Sequence, residues 1–144
     1  MEEQSYAKHA KFVPLYHGLL FAVILLTFIG SIVNLVHSMG DHERIYSAAL
    51  ITTLSFAAIL QFFFARVFPL KAQDRAIRAE ENLRHFAMTG KLLDSRLKIA
   101  QIIGLRFASD AEFVALAKKA ADENMSLDAI KKSVKNWRAD HDRL

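Results

Sequence analysis

Two stretches of this chain carry no Asp, Glu, Lys or Arg: Phe12 to Gly40, 29 residues, and Ile45 to Ala65, 21 residues. A helix rises about 1.5 Å per residue and the hydrocarbon layer of a bilayer is about 30 Å thick, so roughly 20 apolar residues cross it. Both runs reach that length, and spans are expected at about 15–37 and 46–68. The first run exceeds the roughly 7–15 apolar residues of a secretory signal core, and no convincing small-x-small cleavage site follows, so it reads as an uncleaved span. Ser38 to Ile45, with Gly40 and Asp41 as turn formers, allows only a tight antiparallel connection. The expected fold is an all-α membrane protein. A transmembrane helical hairpin over 15–68 follows an N-terminal interfacial segment, 1–14, and precedes a cytoplasmic helical bundle.

Composition removes the other classes. A 53% hydrophobic content excludes intrinsic disorder, the absence of cysteine excludes a disulfide scaffold, and no internal period indicates a repeat array. Lys and Arg set the orientation, because cationic flanks stay on the cytoplasmic side. The connecting loop has Arg44 alone, whereas Lys8 and Lys11 precede the first span and Arg66, Lys71, Arg75 and Arg78 follow the second. Both termini are therefore expected on the cytoplasmic side. Tyr6, Phe12, Tyr16 and Tyr46 fall near the expected interfaces, where amphipathic rings settle.

Helices in lipid associate through small residues and side-chain hydrogen bonds, so small and polar positions are expected to mark the buried face. In the first span these are Thr27, Ser31, Asn34 and Ser38, with Gly30 adjacent; in the second, Ala49, Thr53, Ala57, Gln61 and Ala65 recur every four residues. Packing across the hairpin or across an oligomer interface is the expected use, and a water-lined path through an oligomer is the sharper one. The spans contain no acidic residue and no central cation of the kind that marks ion pathways. Histidine suggests no metal centre. His37, Asp41, His42 and Glu43 share the turn, but their spacing matches no metal-binding pattern.

Pro69 is expected to end the second span, because proline lacks the amide proton and disfavours helical geometry in the residue before it. A juxtamembrane helix is expected over 70–88. Its Ala72, Ala76, Ala79, Leu83 and Phe86 follow a 4-3-4-3 spacing, a short coiled-coil-like seam that packs on the rest of the cytoplasmic part or serves as a self-association stalk. A three-helix unit is expected over 90–144. Leu92 to Phe107 reads as a helix apolar on most sides, Ser109 and Glu112 as a capping box, Asn124 as a helix stop and Ser126 as the cap of a last helix. Leu127, Ile130, Val134 and Trp137 would be the buried stripe of that last helix.

From Leu70 to Leu144 there are 15 Lys+Arg and 11 Asp+Glu, with Lys131, Lys132, Lys135 and Arg138 on one side of the last helix. No helix-turn-helix signature accompanies them, so nucleic acid is not expected as a partner. Anionic headgroups of the bilayer are, through the juxtamembrane cations. No nucleophile elbow, phosphate-binding loop or dinucleotide fingerprint is present. No catalytic residue, cofactor or metal is expected. Arg106, within Ile102-Ile-Gly-Leu-Arg-Phe107, is expected as a partly buried cation tying helix ends together through Asp110, Glu112 or carbonyls.

The chain resembles a bacterial family of small two-span membrane proteins of unknown function. The resemblance rests on Gln4-Ser-Tyr6, His9, Pro14 and His17, on Gln101-Ile-Ile-Gly-Leu-Arg-Phe-Ala-Ser-Asp110, and on Trp137-Arg-Ala-Asp140. It would cover essentially the whole chain, and departs from the family's pattern at Lys8, where Asn is expected, and at Gly104, where Ala is expected. It implies two spans and an inner-membrane location, and it carries over no catalytic residues. The functional expectation is a noncatalytic membrane-anchored module that self-associates or docks a cytoplasmic protein partner; the alternative is a subunit of a small oligomeric channel or transporter.

Overall fold

The computed structural model describes residues 12–140, so Gln4, Ser5, Tyr6, Lys8, His9, Lys11 and His141 lie outside the described residues. The described residues are helical, with no strand and one isolated antiparallel bridge, Ala108 with Trp137. The chain divides into two compact units: Phe12–Pro69 forms one, and the described residues from Leu70 onward belong to the other.

In the first unit, a wide π-helical segment, Pro14–Leu20, runs into α1, Phe21–His37, and α2 begins at His42. Gly40, at φ +95°, makes the turn that L residues with a Cβ rarely adopt. Asp41 starts α2 by accepting from the backbone amides of Glu43 and Arg44 at 3.0 and 3.3 Å. The two helices pack on a lengthwise seam. Ile24, Phe28, Ser31 and Leu35 on α1 and Ser38 just beyond it are buried or half-buried, as are Ile45, Ala48, Thr52, Ser55, Ile59 and Phe62 on α2. Their alternating three- and four-residue steps are the pattern of two helices running side by side at a shallow angle. Thr52 donates to the Ser31 carbonyl at 3.1 Å, and at the other end the Tyr16 hydroxyl donates to the Phe62 carbonyl at 2.6 Å while its ring stacks on that of Phe62.

Three expectations about the chain from Pro69 onward are corrected. Pro69 does not end a helix, since α2 runs unbroken over His42–Thr89 with Pro69 inside it. The missing amide costs one bond to the carbonyl four residues earlier, and a helix well propagated on both sides absorbs that loss. Leu92 to Phe107 is not one helix. Gly90, at φ +73°, terminates α2, and the chain crosses without helix to α3, Ile99–Leu105. That crossing is pinned to α2 by Asn82, which accepts from the Leu93 amide at 3.2 Å, and by His85, hydrogen-bonded to the Lys91 carbonyl at 2.7 Å. The last helix also stops early. Ser109 and Glu112 form the capping box of α4, Asp110–Asp122, and Ser126 caps α5, Leu127–Ser133, but Val134 is already extended. Trp137 pairs with Ala108 as a bridge, with Ser109 donating to the Asn136 carbonyl and Arg138 to that of Phe107.

The core of this unit is centred on Phe113, Leu105, Ile130 and Ile102, with Leu93 and Leu97 from the crossing and Ile77 from α2. Gly104 permits the α3 to α5 approach: a Cβ there would meet Ile130 side-chain atoms at 3.1 and 3.3 Å. Asn124, at φ +47°, closes α4 in the left-handed conformation that Asn tolerates better than most residues.

Candidate functional site

The Leu70–Thr89 stretch of α2 has two faces with different fates. Ile77 and Glu81, one helical turn apart, are buried at 6% and 5% exposure, and Arg84 joins them. The Arg84 guanidinium donates to Glu81 at 3.0 Å, to Asp110 and to the Ala108 carbonyl at 2.8 Å, and it lies over the Phe113 ring at 4.2 Å. One side chain thus ties α2 to the start of α4. Its hydrogen bonds to Asp110 hold that carboxyl below the ordinary carboxylate range.

Ala72, Ala76, Ala79, Leu83 and Phe86 lie on the opposite side and are all exposed, Leu83 by 68% and Phe86 by 50%. The seam therefore does not pack on the rest of its own unit, which corrects that expectation. Successive helical residues turn by 100°, and Ile77 and Glu81 point about half a turn away from the seam. Sequence reasoning missed Glu81 and Arg84. Their three-residue separation next to a lone isoleucine was the available signal, but the cleaner 4-3-4-3 series outweighed it.

Arg106 is buried, and its partner differs from those expected: its Nη1 lies 3.2 Å from Asp140, and its guanidinium lies over Phe107 at 4.6 Å. Asp110 is engaged by Arg84 instead. Glu112 accepts from the amides of Lys135 and Asn136 at 3.2 and 3.0 Å. Burial pushes the Glu112 carboxyl up, but the amides of Asn136, Lys135 and Ser109 and the Ser109 hydroxyl outweigh it, so the net displacement is down. Lys131, expected on an exposed basic edge, is buried with its ammonium 5.6 Å from the centre of the Phe107 ring. A cleft of about 300 Å³ opens beside Arg106, lined also by Ile77, Glu80, Glu81, Arg138, Ala139 and Asp140. Three acidic and two basic side chains line it, and none of them is a nucleophile paired with a base. On the surface, Arg96 donates to both Asp94 and Asp122; its hydrogen bonds lower the Asp94 carboxyl to about 2 and raise the Arg96 guanidinium.

Of the two expected uses of the candidate faces, packing across the hairpin falls to only a few of these residues. Ser31 and Ser38 are buried and Ala49 is half-buried, but Thr27, Gly30, Asn34, Thr53, Ala57, Gln61 and Ala65 are exposed. A strict four-residue ridge drifts about 40° per step, so it cannot follow a lengthwise contact. The 3-4 series took that role. At the turn, His37 is bonded to its own helix at the Val33 carbonyl, and Asp41 is occupied in capping α2. Among the described residues no group of three or more His, Cys, Asp or Glu is placed to hold a metal.

A family model described as "Family of unknown function (DUF6526)" matches residues 1–144. No curated protein and no solved structure matches the chain.

Proposed function

We propose the following for this chain, which belongs to that family of unknown function: it is a noncatalytic membrane-anchored association module. The Phe12–Pro69 hairpin sits in a bacterial inner membrane with both termini cytoplasmic, and α2 carries a docking seam out of it. The observation that carries this reading is the exposed seam of Ala72, Ala76, Ala79, Leu83 and Phe86 on a helix whose other side is already used. Apolar surface at regular helical spacing is stabilised when another helix covers it.

Membrane insertion is supported by the helices themselves. Pro14–His37 and His42–Thr89 are long and apolar enough to cross a bilayer, and only 6% and 11% of their apolar windows are buried. A core helix of a water-soluble protein would bury most of that surface. Arg44 at the turn, against Arg66, Lys71, Arg75 and Arg78 beyond the second span, supports the orientation and a contact with anionic headgroups.

The test is native mass spectrometry of the protein in lipid nanodiscs. A defined oligomer or bound partner that weakens in Ala76→Trp is expected, and a chain that stays strictly monomeric and partner-free in native lipid overturns the reading. A second reading, a subunit of an oligomeric channel, draws on the outward Thr27, Asn34, Thr53 and Gln61. Ion flux in proteoliposomes decides it, because tight vesicles across several ions and gradients remove it.

A further inference from the structure

We propose that the occupant of the α2 seam is a second copy of the same seam, parallel and in register, with Arg75 of each copy paired to Glu80 of the other. This rests on the association reading above and deepens it by naming the partner and its direction.

The charges at the seam edges carry the inference. Arg75 directly precedes Ala76 and flanks the seam on one edge, while Glu80 directly follows Ala79 and flanks it on the other. In two parallel helices joined on a 4-3 seam, the residue just before one core position faces the residue five places later on the partner, across the interface. Arg75 and Glu80 are five residues apart and opposite in charge, so a two-fold parallel pair makes this contact twice. Both side chains are exposed, and among the described residues neither is engaged in a hydrogen bond or an ion pair. An antiparallel pair would instead set each edge against its own copy, Arg75 against a basic edge that also includes Lys71 and Arg78. Like charges there oppose association.

The core positions agree with a close parallel approach. Three alanines at 72, 76 and 79 let two backbones come near each other, and Leu83 and Phe86 then supply apolar area at the far end. A seam this short is marginal for helices free in water. Anchoring both copies in one bilayer fixes them parallel and concentrates them, which lets a weak contact persist without added area.

Cysteine substitution tests the geometry cleanly, because the chain has no cysteine of its own. In full-length protein reconstituted in lipid, Ala72→Cys, Ala76→Cys and Ala79→Cys are each expected to form a disulfide between copies on mild oxidation, while Arg78→Cys, off the seam, is expected to form at least tenfold less. Arg75→Glu and Glu80→Arg are each expected to reduce cross-linking through Ala76→Cys about tenfold. Mixing those two single variants restores it in mixed pairs only, since every contact is then between opposite charges, and the double variant restores it between identical copies.

In a mixture of the Ala72→Cys and Phe86→Cys single variants, cross-links that join position 72 to position 86 rather than to itself would overturn the parallel pairing and leave self-association standing, as would cross-linking indifferent to the charge exchanges. No cross-linking at any seam position, in variants whose circular dichroism matches the parent, would overturn the proposed self-association itself. All the substituted side chains are exposed, so the fold survives the substitutions.

Discussion

The hairpin and the unit beyond Leu70 use apolar residues in opposite ways. In the hairpin, Leu26, Leu54 and Phe63 stand outward at 68%, 69% and 52% exposure, and burial is confined to one lengthwise seam. In the second unit Phe107, Phe113, Ile102, Leu105 and Ile130 are fully enclosed, and most of the exposed apolar surface lies along α2 and the crossing beyond it. A side chain saves free energy by leaving water only where water was the alternative. On the proposed membrane reading the alternative for the hairpin is lipid, and small side chains and hydrogen bonds such as Thr52 to Ser31 would hold the helices instead.

The contrast is broken most strongly by truncating equivalent rings. Phe113→Ala opens a cavity in a closed core and removes the surface under Arg84, and is expected to destabilise the second unit by about 4 kcal/mol. Phe63→Ala, outward in the hairpin, is expected to change stability by less than about 0.5 kcal/mol. Chemical denaturation of the full chain in mild detergent, followed by the fluorescence of Trp137, reads the first; helix content by circular dichroism reads the second. Equal effects would erase the distinction between the two regions.

Next in size is Arg84→Met, which leaves Glu81 enclosed without its cation and is expected to cost about 3 kcal/mol in the same denaturation experiment. Glu81→Gln in that background should return part of the loss. A failure to do so would show that packing over Phe113, rather than charge, sets the value of Arg84.

A smaller effect separates the regions by pH. The Glu112 and Asp110 carboxyls sit below their ordinary range in the folded unit. Their contribution is complete above the unfolded carboxylate value, about 4, and is lost as pH falls through the lower folded values. Glu112→Gln is expected to cost about 1 kcal/mol at neutral pH, and its thermal midpoint should converge on that of the parent as the pH approaches the folded carboxyl's range. The hairpin, whose seam contains no carboxylate, should keep its helix content over that pH window. The smallest effect is Thr52→Val, expected to weaken the hairpin by about 0.6 kcal/mol, measured as a shift in its detergent-induced unfolding.

Several parts of the fold were legible from residues alone because their signals are local. The Ser109 and Glu112 capping box, the Ser126 cap and the Asn124 stop each involve groups within a few residues of one another, and all three are present. Leu93 and Leu97 mislead for the opposite reason: their four-residue spacing suggests a helix, yet both are buried from a crossing held in place by Asn82 and His85 of α2. The candidate seam was legible as a pattern but not as an exposed surface. Its exposure depends on which side of α2 the core approaches, and that is settled by Ile77, Glu81 and Arg84 meeting residues far along the chain.

By itself, then, the sequence determined the two long apolar helices, the tight turn at Gly40 and Asp41 and the caps of the later helices, since run length, turn chemistry and capping act over one or a few helical turns. Only the tertiary structure decided that α2 continues through Pro69, that Arg106 reaches Asp140 while Asp110 goes to Arg84, and that Trp137 leaves its helix to bridge Ala108. Those outcomes are competitions among distant partners for the same buried space and the same charges, and no local spacing records which partner wins.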